Sequence, residues 1–81
     1  MNRPLDPVSL QHYVAVCEEG NIARAAARER LAPSALSKRL AALEADVGVP
    51  LLLRHRRGVE PTAAGEALLV LAREVLAGLD L

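Results

Sequence analysis

Residues 21–48 have the sequence NIARAAARERLAPSALSKRLAALEADVG, and one proline in this stretch decides the fold. The residue before a proline is pushed out of the helical region, so a helical run that precedes Pro33 must end close to Leu31-Ala32. Proline is favoured in the first turn of a helix, so a second helix can begin at Pro33. The stretch therefore predicts two helices joined by a tight turn, which is the arrangement of a helix-turn-helix.

Both helices of this stretch have recognisable ends. Asn21 can cap the shorter helix, 21–30. The longer helix is predicted over 33–46, and Gly48 ends it. Apolar residues at helical spacing predict which side chains face the core. These are Ile22, Ala25, Ala26, Leu36, Leu40, Leu43 and Val47.

Another helix precedes the stretch. Asp6-Pro7 provides a cap followed by a first-turn proline, and Gly20 provides the end. The spacing i, i+3, i+4, i+7 gives this helix one apolar stripe. The stripe consists of Leu10, Tyr13, Val14 and Cys17. His12 is then expected on the solvent side of the helix.

A short hairpin and a last helix follow the stretch. Two extended runs, 51–53 and 59–61, flank a basic turn at 54–58 with the sequence RHRRG, which is typical of a β-hairpin. Thr62 can cap a final helix that runs to about Leu79. The order helix, helix, helix, hairpin, helix predicts a mostly α winged helix-turn-helix: three helices, a short β-hairpin wing and a long C-terminal linker helix.

Length and composition agree with one small helical domain. The chain has 81 residues, of which 52% are apolar, and Tyr13 is its single aromatic residue, so leucine, valine and alanine must build the core. We expect residues 1–61 to form the winged domain and residues 62–81 a linker or dimerisation helix. The single Cys17, the lack of an apolar run near 20 residues and the lack of a secretory signal predict a cytoplasmic protein outside the membrane.

Charge is distributed unevenly along a chain whose formal net charge is zero. Residues 24–57 contain eight basic and three acidic residues, a balance of +5, and the rest of the chain contains two basic and seven acidic residues, a balance of −5. A basic middle can steer a polyanion to one face of a protein. Ordinary solvated helix faces would give the same counts, so charge alone does not decide between the two interpretations.

The outward face of the helix over 33–46 has the composition of a helix that enters a DNA major groove. Ser34, Lys38, Ala41 and Ala45 are predicted at its centre, with Ser37 and Arg39 on its flanks. A reading helix needs polar tips and little bulk against the groove walls. The alternative is that the alanines only raise helix propensity and the charges only solvate the surface.

The basic turn strengthens the DNA interpretation. An exposed run of Arg54, His55, Arg56 and Arg57 could reach phosphates or the minor groove beside the reading helix, although cationic turns also protect sheet edges from aggregation. Its position directly after the helix-turn-helix favours DNA. The predicted DNA contacts are Arg24, Ser34, Ser37, Lys38, Arg39, Arg54, His55, Arg56 and Arg57.

The last helix has more apolar surface than one small domain can cover. Its main stripe is Ala64, Leu68, Leu71, Ala72, Val75 and Leu79, and Leu69 and Leu76 add a second row. We expect one side to pack on the body and the other on a second copy. The predicted dimer residues are Leu68, Leu71, Ala72, Val75 and Leu79. A monomer whose remaining chain covers this helix is the alternative.

No catalytic or metal site can be assembled from the sequence. His12 and His55 are far apart and have no cysteine or carboxylate at ligand spacing, and Cys17 is expected to be a core thiol. We therefore predict no enzyme activity, no metal and no cofactor in this domain. A helical adaptor that keeps the winged fold but binds protein is the second hypothesis after DNA binding.

The motifs together resemble the N-terminal domain of LysR-type transcriptional regulators over 10–72. The segments that carry the resemblance are LQHYVAV at 10–16, GNIARAA at 20–26, SALS at 34–37, LE at 43–44, GVPL at 48–51 and TAAG at 62–65. The resemblance implies a bacterial homodimer, with a tetramer possible at full length, that binds partly palindromic double-stranded promoter DNA on the nucleoid. It also implies a C-terminal domain that binds a small-molecule effector.

Three departures from the family pattern affect these expectations. The family usually has Ser or Thr and then a base-reading Gln where this chain has Ala32 and Pro33, so base recognition must shift to Ser34, Ser37, Lys38 or water. Glu29 stands where an apolar residue is usual, and its burial would require an arginine partner or an early end of the helix. Leu53 replaces an acidic residue of the wing.

Overall fold

In the computed structural model, which describes residues 6–79, four helices and one antiparallel hairpin follow the predicted order. The elements are α1 (Pro7–Glu19), α2 (Ile22–Arg28), α3 (Pro33–Val47), β1 (Leu52–His55), β2 (Gly58–Pro61) and α4 (Ala63–Gly78). The winged helix-turn-helix prediction is confirmed. The division at 61/62 stays a prediction, and its outermost residues, 1–5 and 80–81, lie outside the described residues.

Side-chain caps begin three of the four helices. The side chain of Asp6 accepts a hydrogen bond from the N–H of Ser9 at 2.7 Å, and Asn21 and Thr62 do the same for α2 and α4. The backbone bond from Ser9 lowers the pKa of Asp6. α3 begins differently: Ala32 occupies the cap position with no side-chain hydrogen bond, and Pro33 forms the first turn. The sequence predicted all four starts.

The core lies where α1 is surrounded by the other helices. Tyr13 and Val16 of α1 and Leu36 of α3 are completely buried. Fully buried alanines at the helix contacts allow the backbones to approach closely. These are Ala15, Ala25, Ala26 and Ala72. The prediction that Val47 faces the core is wrong. Val47 is exposed because the last turn of α3 extends beyond the body.

His12 is a second correction. It was expected on the solvent side of α1 but is only 6% exposed, and its Nε2 lies 3.7 Å from Oε1 of Glu29. Burial lowers the pKa of His12, which favours the neutral ring. Its Nδ1 has no hydrogen-bond partner within residues 6–79.

Glu29 is accommodated in both ways that were expected. α2 ends at Arg28, so Glu29 takes the C-cap position, and Nε of Arg28 lies 3.9 Å from Oε2 of Glu29. Gln11 of α1 also donates a hydrogen bond to Glu29 at 2.9 Å. The carboxylate is therefore paired, and together with His12 it joins α1 to the end of α2.

The hairpin is longer than predicted. Arg54 and His55 belong to β1 and pair with Val59 and Gly58, which leaves Arg56-Arg57 as the loop. Gly58 has a φ of 138°, and a Cβ at this position would overlap the Gly20 carbonyl oxygen. Only glycine therefore lets the hairpin pack against the end of α1.

Within residues 6–79 no helix combines the length and the apolar character needed to cross a membrane.

Candidate nucleic-acid interface

The outward face of α3 is as predicted. Ser34, Lys38, Ala41 and Ala45 are exposed, and Ser37 is half-buried. The opposite face is buried, so the packing of α1 and α2 fixes the direction in which this row points. Ala32 supplies no cap, so the first-turn N–H groups of α3 have no side-chain acceptor in the part of the chain that the structure describes. A helix N-terminus in this state suits a phosphate.

The wing, residues 54–58, projects basic side chains into solvent. Arg54, Arg56 and Arg57 are exposed. The backbone N–H of Val59 donates to the Gly20 carbonyl at 3.0 Å, so the hairpin is tied to the turn between α1 and α2. The wing is thus attached to the same body that carries α3.

His55 differs from its three basic neighbours. Its Nε2 lies 3.2 Å from Oε2 of Glu60 on the facing strand, and its Nδ1 accepts from the N–H of Arg57 at 3.2 Å. One neutral tautomer satisfies both contacts. The predicted role of His55 as a DNA contact stays a prediction, and the structure also gives it a bracing role inside the hairpin.

Ion pairs separate the basic residues into two groups. Of the nine Lys and Arg residues within 6–79, Arg28 pairs with Glu18 at 2.8 Å and Arg73 pairs with Glu18 at 3.1 Å. These two bonds lower the pKa of Glu18. The other seven have no ion pair within the described residues. They are Arg24, Arg30, Lys38, Arg39, Arg54, Arg56 and Arg57.

Arg30 is the member of this group that sequence reasoning missed. It was placed at the end of the second helix and given no contact role. In the structure it lies in the turn before α3 with a φ of 58°, exposed to solvent. The signal was available, because the residue after a helix C-cap is often left-handed and its side chain leaves the helix surface.

The apolar surface of α4 divides into two faces. Leu69 and Ala72 are buried against the body, and Leu76 is partly buried. The predicted dimer role of Ala72 is wrong, because with 0% exposure it has no surface for a partner. The remaining predicted dimer residues keep some exposed surface. Leu68 is half-buried, and the exposed fractions of Leu71, Val75 and Leu79 are 51%, 36% and 47%.

Groups that could support other chemistry are inert or scattered. No cluster of His, Cys, Asp and Glu within residues 6–79 could hold a metal ion. Cys17 packs half-buried against the core beside Tyr13, and burial raises the pKa of its thiol, which disfavours the nucleophilic thiolate.

Comparison with known proteins gives consistent matches. A sequence model for "Bacterial regulatory helix-turn-helix protein, lysR family" matches residues 8–66. The HTH-type transcriptional regulator TcbR of Pseudomonas sp. (strain P51) is 48% identical over 67 residues, which are 83% of this chain but 23% of TcbR. The chain therefore spans about a quarter of the length of the curated relatives it matches.

Solved structures agree in fold. The crystal structure of a CbnR_DBD–DNA complex matches with a TM-score of 0.86 and 44% identity, covering 90% of this chain and 84% of that chain. The crystal structure of a BenM_DBD/catB site 1 DNA complex matches with a TM-score of 0.90 and 32% identity, covering 94% and 84%. Both similar chains were crystallised with DNA.

Proposed function

Because the chain belongs to the lysR family of bacterial regulatory helix-turn-helix proteins, we propose that it regulates transcription by binding double-stranded promoter DNA sequence-specifically. α3 enters the major groove, and the wing lies on the phosphate backbone or in the minor groove. The matched relatives are transcriptional regulators, which supports regulation rather than catalysis as its role.

The proposal depends on the position of the seven cations that have no ion pair within residues 6–79. All of them lie in the helix-turn-helix or the wing, and the acidic residues of α1 neutralise Arg28 and Arg73 instead. Cations left unpaired in the protein are available to phosphates and can release bound counterions. If these cations served only solubility, they would be expected over the whole surface and not only in the helix-turn-helix and the wing.

Contacts to phosphate and contacts to bases have different roles in this proposal. The wing residues Arg54, Arg56 and Arg57 supply charge, which positions the protein without reading sequence. Ser34 and Ser37 lie on the groove side of α3, where hydroxyl groups can bond base edges directly or through water. Since Ala32 and Pro33 offer no base-reading side chain, sequence preference depends on these serines and Lys38.

A second copy completes the regulator. We propose that Leu68, Leu71, Val75 and Leu79 of α4 pair with the same helix of another subunit, giving a homodimer on a partly palindromic site. In the whole protein, which can form a tetramer, a further domain binds a small-molecule effector. This role places the protein in the cytoplasm, on the nucleoid.

Fluorescence anisotropy with labelled duplex DNA tests the proposal. We expect affinity to fall steeply as salt rises, and Arg56→Ala to weaken binding on all sequences alike, with the slope of log K against log salt reduced by about 0.9. Arg73→Ala removes the same charge from α4, where the side chain is paired with Glu18, and should bind like the parent. Weak binding that is independent of salt, or equal effects of the two variants, would contradict DNA binding through this face.

A further inference from the structure

A carboxylate joins α3 to the base of the hairpin. Glu44 lies on α3, and its Oε2 accepts hydrogen bonds from the backbone N–H groups of Leu51 at 2.7 Å and Leu52 at 3.1 Å. Both contacts are partly buried, and hydrogen bonds to an ionised acceptor are stronger than neutral ones. The chain is therefore tied to α3 at the point where β1 begins.

The same point is held from two other directions. The hydroxyl of Tyr13 on α1 donates to the Leu51 carbonyl at 2.8 Å, and the N–H of Thr62, the cap of α4, donates to it at 3.2 Å. A Cβ at Gly65 would overlap both this carbonyl oxygen and the Tyr13 hydroxyl, so only glycine allows α4 to pack here. Burial raises the pKa of Tyr13, which keeps its proton available for the bond.

Glu44 is the member of this cluster that links the hairpin to α3 itself. Tyr13 and Thr62 hold the hairpin to α1 and α4, whereas Glu44 sits on the helix whose outward face carries Ser34 and Lys38. The side chains of Arg54, Arg56 and Arg57 in the wing are exposed. The Val59–Gly20 hydrogen bond holds the hairpin to the turn between α1 and α2, and the Glu44 bonds at the base of the hairpin set its direction relative to α3.

We propose that Glu44 is a positioning residue for DNA binding: its carboxylate sets the wing relative to α3, so that both reach DNA in one rigid arrangement. This inference rests on the proposed function. A wing that is already oriented loses little freedom on binding, whereas a loose wing must be ordered at the expense of affinity. Glu44 itself carries a negative charge and is not proposed to contact DNA.

Alanine substitutions at two acidic residues of α3 test the proposal. Glu44→Ala and Asp46→Ala each remove one negative charge, but the side chain of Asp46 is exposed and makes no hydrogen bond or ion pair within residues 6–79. We expect Asp46→Ala to bind duplex DNA at least as tightly as the parent and Glu44→Ala to bind about tenfold more weakly. Glu44→Gln, which keeps an oxygen acceptor, should retain most of the affinity.

Coupling to the wing separates positioning from a general loss of structure. In a background that carries Arg54→Ala, Arg56→Ala and Arg57→Ala, Glu44→Ala should weaken binding no more than Asp46→Ala does, because the wing arginines no longer contribute. Urea unfolding establishes that each variant is folded at the temperature used. An equal loss of affinity from Glu44→Ala with and without the wing arginines would overturn the proposal.

A measurement without DNA distinguishes a failure of the positioning role of Glu44 from a failure of the proposed function. NMR order parameters of the Arg56 and Arg57 amides should fall in Glu44→Ala and stay unchanged in Asp46→Ala. If order falls but the parent protein binds no DNA, the proposed function is wrong while Glu44 still orients the wing. If order is the same in both variants, the positioning role of Glu44 is wrong, whatever the DNA affinity.

Discussion

Arg30 combines a left-handed backbone with a charged side chain that is exposed and has no ion pair within residues 6–79. Its N–H donates to the Ala27 carbonyl at 3.2 Å, and the N–H of Leu31 donates to the Ala26 carbonyl at 2.8 Å, a pair of bonds that usually ends a helix at glycine. A residue with a Cβ costs about 1 kcal/mol in this left-handed conformation. The cost is compatible with a role for the side chain, which is exposed three residues before α3.

Replacing Arg30 should therefore raise stability and weaken binding at once. We expect Arg30→Gly to increase the free energy of unfolding by about 0.5–1 kcal/mol in urea titrations, because the strain is relieved. The same variant should bind duplex DNA more weakly, with a smaller salt slope, because one phosphate contact is lost. Arg30→Ala keeps the Cβ and should lose the affinity without the gain in stability. Unchanged DNA affinity in both variants would show that Arg30 contacts no phosphate.

At the scale of elements, a buried polar contact joins α1 to the end of α2. His12 and Glu29 have nearly buried side chains 3.7 Å apart, and Gln11 adds a hydrogen bond to the same carboxylate. Arg39 of α3 and Asp6, the cap of α1, act on the ring from farther away with opposite signs. Burial outweighs the attraction of Glu29, so the pKa of His12 lies below its usual value.

The lowered pKa makes the packing of α1 on α2 sensitive to acid. The unfolded chain binds a proton at His12 once the pH drops below about 6.5, while the folded chain resists protonation until a lower pH. Since the unfolded state then holds more protons, stability should fall as the pH falls through this window. Urea unfolding of the parent and of His12→Gln, at about pH 7.5 and stepwise downward, measures the effect. The histidine contribution is absent from His12→Gln, and an equal pH dependence in both proteins would refute it.

The features predicted correctly from the sequence are those that interactions between residues near each other in the chain determine. Caps at Asp6, Asn21 and Thr62 and the proline at Pro33 depend on residues within one turn, so all four helix starts were correct. His12 was misplaced because a helical wheel describes one helix and cannot anticipate a carboxylate that arrives from another. The strand limits at Arg54 and His55 were missed for a similar reason, since strand pairing depends on the facing chain.

The candidate site was predictable in part for the same physical reason. The outward row of α3 follows from helical periodicity, so Ser34 and Lys38 were correctly placed on the exposed face. Ala72 was assigned to the wrong face because two apolar rows on α4 looked equivalent until the body was seen to cover one of them. The Glu44 bonds to Leu51 and Leu52 join helix to hairpin and leave no periodic signal.

Across the whole molecule, a net charge of zero conceals a divided surface. Glu18 and Glu19 neutralise Arg28, and Glu18 also binds Arg73, so acidic groups collect at one end of α1. Apart from Arg28, the Lys and Arg residues of the helix-turn-helix and the wing have no such partners within residues 6–79. Separation of this kind, rather than total charge, supports steering toward a polyanion.

Besides the face proposed to bind DNA, the molecule has an exposed apolar row on α4, which is proposed to bind a second subunit. Leu71, Val75 and Leu79 are about one helical turn apart and keep exposed surface, whereas Leu69 and Ala72 are buried against the body. A two-fold pair formed through this row would present two α3 helices to successive major grooves, about 34–36 Å apart along the DNA. The DNA site should then have matching symmetry.

Selection of bound sites from random duplex DNA measures whether α3 reads base sequence. If α3 reads base edges in the major groove, the protein should enrich a partly palindromic sequence with half-sites separated by about one helical turn or a multiple of it. Ser34→Ala should enrich an altered base preference at fixed positions of each half-site, while Arg56→Ala should keep the preference and lower the yield. No enriched sequence, or an identical preference in the parent and Ser34→Ala, would contradict the assignment of α3 as the helix that reads DNA.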